Sequence, residues 1–148
     1  MQITFNAKLP SAQRFKALRN SAGWGDITVA QSKATLSASL GGMCAYKGET
    51  LVGMTRYIGD GVLNLYLQDV IVHADYRKQG LGKTLIKRTV RVLQENYPAD
   101  CTIGLMAAKG QDAFYMQFGF NTRPSDVYGA GMIAALGNLC TADDTGEL

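Results

Sequence analysis

Apolar and polar positions change period several times along the chain, and each change marks an element. Ile3-Thr4-Phe5-Asn6-Ala7 alternates, as a half-buried strand does. Pro10-Ser11 opens a helix with Ala12, Phe15, Leu18 and Ala22 on one side, and Gly23-Trp24-Gly25 ends it. A second, more polar helix covers residues 29–39, until Gly41-Gly42 breaks it. Residues 43–47 and 50–58 flank Gly48-Glu49 and read as an antiparallel hairpin. Beyond the turn at Gly59-Asp60-Gly61, residues 62–72 form a fourth strand that pairs with the third.

From Leu81 the period becomes helical. Leu81, Leu85, Ile86, Val90 and Leu93 make one buried stripe, while Lys83, Lys87, Arg88 and Arg91 stay solvated. Tyr97-Pro98 stops the helix, because proline cannot continue it. Residues 102–107 read as a fifth strand, and residues 111–118 as a short helix closed by Gly119 in a left-handed cap. A last strand is expected over residues 131–136 and a frayed tail from Thr141 to Leu148.

Composition narrows the class. A chain of 148 residues that is 47% hydrophobic fits one compact domain, residues 1–148. Its net charge of +3 is concentrated around the long helix, too small and local to argue for nucleic acid. The basic helix face also lacks interleaved aromatics. Cys44, Cys101 and Cys140 are odd in number and have no metal-ligand spacing, so reduced thiols in a cytoplasmic protein without a metal are expected. The start Met1-Gln2-Ile3-Thr4-Phe5 lacks the pattern of a signal peptide, and no run has membrane-spanning character.

The chemistry concentrates where the fourth strand meets the long helix, in Arg77-Lys78-Gln79-Gly80-Leu81-Gly82. A helix start leaves its first amides unpaired and carries partial positive charge, so it attracts phosphate. Gly80 and Gly82 let an anion approach the main chain, and Arg77, Lys78 and Lys83 add charge around the opening. A Walker loop is excluded, because no glycine stands at the required distance before Gly82-Lys83-Thr84. The dinucleotide fingerprint is excluded as well, since it needs a third glycine.

What the loop does match is Arg-x-x-Gly-x-Gly, which resembles the pyrophosphate-binding motif of the GNAT superfamily, the acetyl-CoA-dependent N-acetyltransferases. Residues 110–120, with Phe114-Tyr115 and Gly119-Phe120, resemble the late segment of the same family, in the expected order. The resemblance implies an α+β fold: a mixed, mostly antiparallel sheet of about seven strands flanked by about four helices, with a splay between the fourth and fifth strands. It implies acetyl-CoA as cosubstrate, with the diphosphate at Arg77, Lys78, Gln79, Gly80, Leu81, Gly82 and Lys83. The pantetheine arm would lie along Val70, Ile71 and Val72, with Ala107 and Ala108 opposite and Phe114 and Tyr115 close by. Tyr115 matches the family tyrosine that protonates the departing thiolate. Where many members carry an asparagine, this chain has Lys109-Gly110-Gln111, a departure at the cofactor side.

Acyl transfer also needs a group to take the amine proton. Asp69, an acid within an apolar strand, is one candidate, as base or as contact to the acceptor amine; His73 and solvent are the others. The competing reading pairs Asp69 with a neighbour such as Arg56 and leaves His73 packed at a strand end. Trp24, alone of its kind and flanked by glycines, either closes over the acceptor or caps the core; the resemblance favours the acceptor. The expected activity is transfer of acetyl from acetyl-CoA to a primary amine of a small molecule, by direct attack in a ternary complex. The alternatives are an acetyl-CoA sensor without turnover and an acetyltransferase for a peptide or protein amine. Members of the family often dimerise, so the resemblance makes a homodimer possible; the charge pattern and hydropathy point to no nucleic-acid or membrane partner.

Overall fold

The computed structural model describes residues 2–141 of the chain, which group into two compact units divided between Met106 and Ala107. In the first unit, β1 (Ile3–Asn6), α1 (Ala12–Ser21), α2 (Val29–Ser37), β2 (Gly41–Lys47), β3 (Thr50–Gly59), β4 (Asn64–Val72), α3 (Leu81–Asn96) and β5 (Thr102–Gly104) follow one another. The sheet runs β1-β2-β3-β4-β5, antiparallel except for the parallel pair β4 and β5.

Short-range chemistry sets these elements. Ser11 caps α1 by accepting from the Arg14 amide at 3.2 Å. Thr28 and Gln31 form a capping box on α2, with Gln31 N–H donating to Thr28 Oγ1 at 3.0 Å and Thr28 N–H to Gln31 Oε1 at 2.8 Å. One Asp60 carboxylate oxygen accepts from the amides of Val62, Leu63 and Asn64 at 2.8, 2.8 and 2.9 Å. Those bonds hold the Asp60 carboxyl well below the usual carboxylate range. They also correct an expectation: β4 starts at Asn64, because the aspartate takes the amides of Val62 and Leu63 out of the ladder, and both side chains are exposed.

Each face of the sheet has its own core. Phe15 and Leu18 from α1 and Leu36 from α2 pack on Cys44, Met54 and Ile71; Leu81 and Leu85 from α3 pack on Met43, Ala45 and Val52. Gly53 lets α3 sit close, since a Cβ there would come within 2.9 Å of Leu85 Cδ1. The α3 stripe is Leu81, Leu85, Ile86, Thr89 and Leu93, with Thr89 buried and Val90 only partly so. Thr89 fits because its hydroxyl donates to the Leu85 carbonyl and shares a hydrogen bond with Thr55 Oγ1, both at 2.7 Å. Thr55 Oγ1 in turn accepts from the Met43 amide at 3.1 Å.

Cys44 lies fully inside the α1/α2 side of the core, and burial pushes its thiol up to about 11. In the folded protein at pH 8 an aromatic disulfide reagent is expected to modify exposed Cys140 and to reach Cys44 only after denaturant is added. Simultaneous reaction of all the thiols in buffer alone would contradict this packing.

In the second unit, α4 (Asp112–Met116) carries Phe114 and Tyr115 into edge-on contacts: Phe114 with Tyr115 at 5.0 Å and with Phe118 at 5.5 Å, and Tyr115 with Phe120 at 6.1 Å between centroids. Gly119 adopts φ 101, the left-handed cap expected of it. The stretch 131–136 is not a strand. Met132 is 90% and Ile133 82% exposed, and a single 3₁₀ turn, Leu136–Asn138, follows. The fold is therefore an α+β arrangement of five strands and four α-helices among the described residues, in place of about seven strands. A short apolar run was there, but strand geometry needs a ladder partner to satisfy its amides, and no pairing among the described residues reaches this segment. The expected tail lies, from residue 142, outside the described residues.

Candidate functional site

The site begins where two strands part. β4 and β5 pair only from Asn64↔Thr102 to Tyr66↔Gly104, so among the described residues no strand lies beside residues 67–72 of β4 on that side. The fifth strand accordingly ends at Gly104, short of the expected 107. On its other side β4 stays paired with β3, but Arg56↔Asp69 is followed by Tyr57↔Leu67, which leaves Gln68 unopposed as a β-bulge. The His73 amide donates to the Val52 carbonyl at 2.8 Å, toward β3. Main-chain groups alternate along a strand, so those of Ile71 face β3 and those of Val70 and Val72 face the open edge. Arg77 Nε donating to the Val72 carbonyl at 3.2 Å agrees with that direction. Of the three valine and isoleucine positions expected along the groove, Ile71 instead buries its side chain in the core.

Beyond the end of β4 the chain turns into α3. His73 Nδ1 accepts from the Asp75 amide at 3.1 Å, so the only histidine caps the 3₁₀ turn Ala74–Tyr76. Lys78 takes φ 61, a left-handed conformation that costs a residue with a Cβ about 1–2 kcal/mol. Gln79 Nε2 donates to the Asp75 carbonyl at 3.2 Å and Gly80 takes φ 79. The Gly80 carbonyl receives the Thr84 amide at 3.1 Å and hydroxyl at 3.2 Å, closing the first turn. Among the described residues, no protein group accepts from the amides of Gln79, Gly80, Leu81, Gly82 or Lys83. The first turn of α3 contains no acid, and a Cβ at Gly80 would meet nothing within 4 Å. These are the features of an anion cradle: unpaired amides, a helix N-terminus, open space and cations at its rim.

Asp69 and Arg56 meet across the strand pair. Arg56 Nε donates to Asp69 Oδ2 at 2.6 Å, and the Asp69 side chain is 1% exposed. A second guanidinium nitrogen donates to Ser39 Oγ at 3.0 Å, just past α2. The structure thus contains the pairing weighed against a catalytic Asp69; Ser39, the third member, gave no sign in sequence beyond a polar residue at a helix end. Trp24 is 41% exposed in the loop after α1. Arg19 brackets it, donating to the Trp24 carbonyl at 3.1 Å with its guanidinium carbon 5.8 Å from the indole centroid.

In the second unit, the Ala108 carbonyl accepts from the Gln111 amide at 2.9 Å and leads into α4, with Gly110 at φ 83. Burial pushes the Tyr115 phenol above its ordinary value, so it carries its proton throughout the neutral range. No group of His, Cys, Asp and Glu able to hold a metal occurs among the described residues, and none of their helices is long and apolar enough to cross a membrane.

Comparison with known proteins agrees with this geometry. Residues 24–135 match the family model described as an acetyltransferase (GNAT) domain. An uncharacterized N-acetyltransferase, ycf52, of Gracilaria tenuistipitata var. liui is 36% identical over 83 residues, which are 56% of this chain and 44% of that protein. Relatives of this kind are matched over 30% to 61% of their own length. A GNAT-family acetyltransferase structure from Streptococcus pneumoniae superposes with a TM-score of 0.73 at 28% identity, over 90% of this chain and 98% of that one. The PaiA N-acetyltransferase from Thermoplasma acidophilum, solved in complex with coenzyme A, shares the fold, with a TM-score of 0.61 at 17% identity over 85% of this chain and 94% of that one.

Proposed function

Since the chain belongs to the GNAT acetyltransferase family, we propose that it moves the acetyl group of acetyl-CoA onto the primary amine of a small molecule, by direct attack in a ternary complex. The observation that carries this reading is the conjunction, within one unit, of an open β4 edge and a cradle of unpaired amides a few residues beyond it.

Acetyl-CoA supplies an acetyl thioester, whose carbonyl carbon is open to a neutral amine. The amides of Gln79, Gly80, Leu81, Gly82 and Lys83, with the side chains of Arg77, Lys78 and Lys83, hold its diphosphate. Val70 and Val72 offer main-chain donors and acceptors to its amide-bearing arm, in the manner of an added strand. An amide of this same edge is the group aimed at charge developing on the carbonyl oxygen. In the second unit, Ala108, Phe114 and Tyr115 are assigned to the cofactor, and the Tyr115 hydroxyl keeps a proton for a sulfur anion.

Trp24 is assigned to the acceptor. Asp69 works through its partner Arg56 rather than as a free base: a carboxylate held by a guanidinium at 2.6 Å and shut off from solvent has no open path to an amine. Deprotonation of the acceptor then falls to water.

Release of free thiol from acetyl-CoA across a panel of small amines tests the proposal. Thiol appearing in step with an added amine is the expected result. Binding without release above the solvent rate would make the protein a sensor, and release only with peptides would move the acceptor to a polypeptide amine.

A further inference from the structure

We propose that Arg56 is a positioning residue for acyl transfer: through Asp69 it pins the bulge at Gln68 and so fixes which main-chain groups β4 turns to its open edge. This rests on the acetyltransferase reading above.

Arg56 and Asp69 are the register pair directly beside the bulge. The guanidinium does more than close one ion pair. It also donates to Ser39 Oγ at 3.0 Å, Ser39 Oγ donates to the Thr35 carbonyl at 2.7 Å, and Arg56 Cζ lies 5.8 Å from the Phe15 centroid. One buried side chain therefore ties together α1, the end of α2, β3 and β4.

Such a tie has a use at a bulge. An extra residue gives a strand more than one way to pair, and a slip by one residue exchanges the groups facing the partner for those facing away. Here a slip would turn the main-chain groups of Val70 and Val72 into the β3 ladder and present Ile71 at the edge. It would also pull Asp69 away from Arg56 and leave two buried charges unmatched, which protein interiors do not tolerate. Buried ion pairs add little net stability compared with apolar residues of similar size, and fixing a register is their best-attested use. A charged pair inside a strand otherwise buried through Leu65, Leu67 and Ile71 is the kind of local exception that marks a functional constraint.

The test replaces the pair with apolar residues, Arg56→Leu with Asp69→Leu, and sets this variant beside Arg56→Lys, which keeps the charge. Thermal unfolding, calorimetric binding of acetyl-CoA and the amide NMR signals of Val70 and Val72 are measured for each. The double variant is expected to unfold within a few degrees of the wild type, to bind acetyl-CoA about tenfold more weakly, and to show more than one set of Val70 and Val72 signals. Arg56→Lys is expected to recover a single set and most of the affinity. Wild-type signals and affinity in the double variant would overturn the proposal. Should the double variant not fold, Ser39→Ala decides: it loosens one tie and leaves the ion pair, so heterogeneous Val70 and Val72 signals support the pinning and wild-type signals defeat it. A wild type that does not bind acetyl-CoA defeats the acetyltransferase reading instead, while the same amide signals still decide whether Arg56 pins the bulge.

Discussion

Gly80→Asp is expected to weaken acetyl-CoA binding by about 10²-fold or more while leaving the protein folded. The expectation follows from two independent features of the position. Its φ of 79 is one that aspartate tolerates better than most side chains, and a Cβ there meets nothing within 4 Å. The folding cost is thus about 1 kcal/mol, a fall of about 2–4 °C in melting temperature for a chain of this size. Binding suffers far more, because a carboxylate in the cradle opposes a diphosphate at close range. Two like charges about 4 Å apart repel by about 4 kcal/mol at an effective dielectric constant of about 20. Gly80→Asn keeps the shape without the charge and should lose much less. Calorimetry on both variants checks this; equal weakening would mean that the backbone, not the field, governs the site.

The second large effect concerns the proton. Tyr115→Phe is expected to lower thiol release by about 10²-fold, the usual worth of a positioned acid, with acetyl-CoA affinity within about twofold of the wild type. The ring contacts with Phe114 and Phe120 survive the substitution, so stability should change little. Because burial raises the Tyr115 pKa above that of an ordinary phenol, the phenol stays protonated throughout the neutral range. The wild-type rate should therefore show no falling limb from this group across the neutral range, and the variant should be slow over all of it. An unchanged rate in Tyr115→Phe would remove the tyrosine from the chemistry and leave the thiolate to depart unprotonated.

What the sequence disclosed, it disclosed through local chemistry. The helix start at Ser11, the hairpin at Gly48-Glu49 and the stripe of α3 are short-range features, and all occur as expected apart from Thr89 standing in for Val90. The basic glycine loop was legible for the same reason, since positive φ and unpaired amides are properties of a few consecutive residues. Features that depend on distant partners were not. Asp60 reached forward to displace the start of β4, which no alternation pattern reveals. Residues 131–136 are apolar enough for a strand yet find no ladder among the described residues. Arg56 was legible as a neighbour for Asp69, but Ser39 joins them only because the end of α2 folds back over β3.

Whether the first amides of α3 grip a diphosphate is tested directly by titration of ¹⁵N-labelled protein with acetyl-CoA. The amide signals of Gln79, Gly80, Leu81, Gly82 and Lys83 are predicted to move together with those of Val70 and Val72 and to saturate at one ligand per chain. Saturation by calorimetry with those signals unmoved would contradict it.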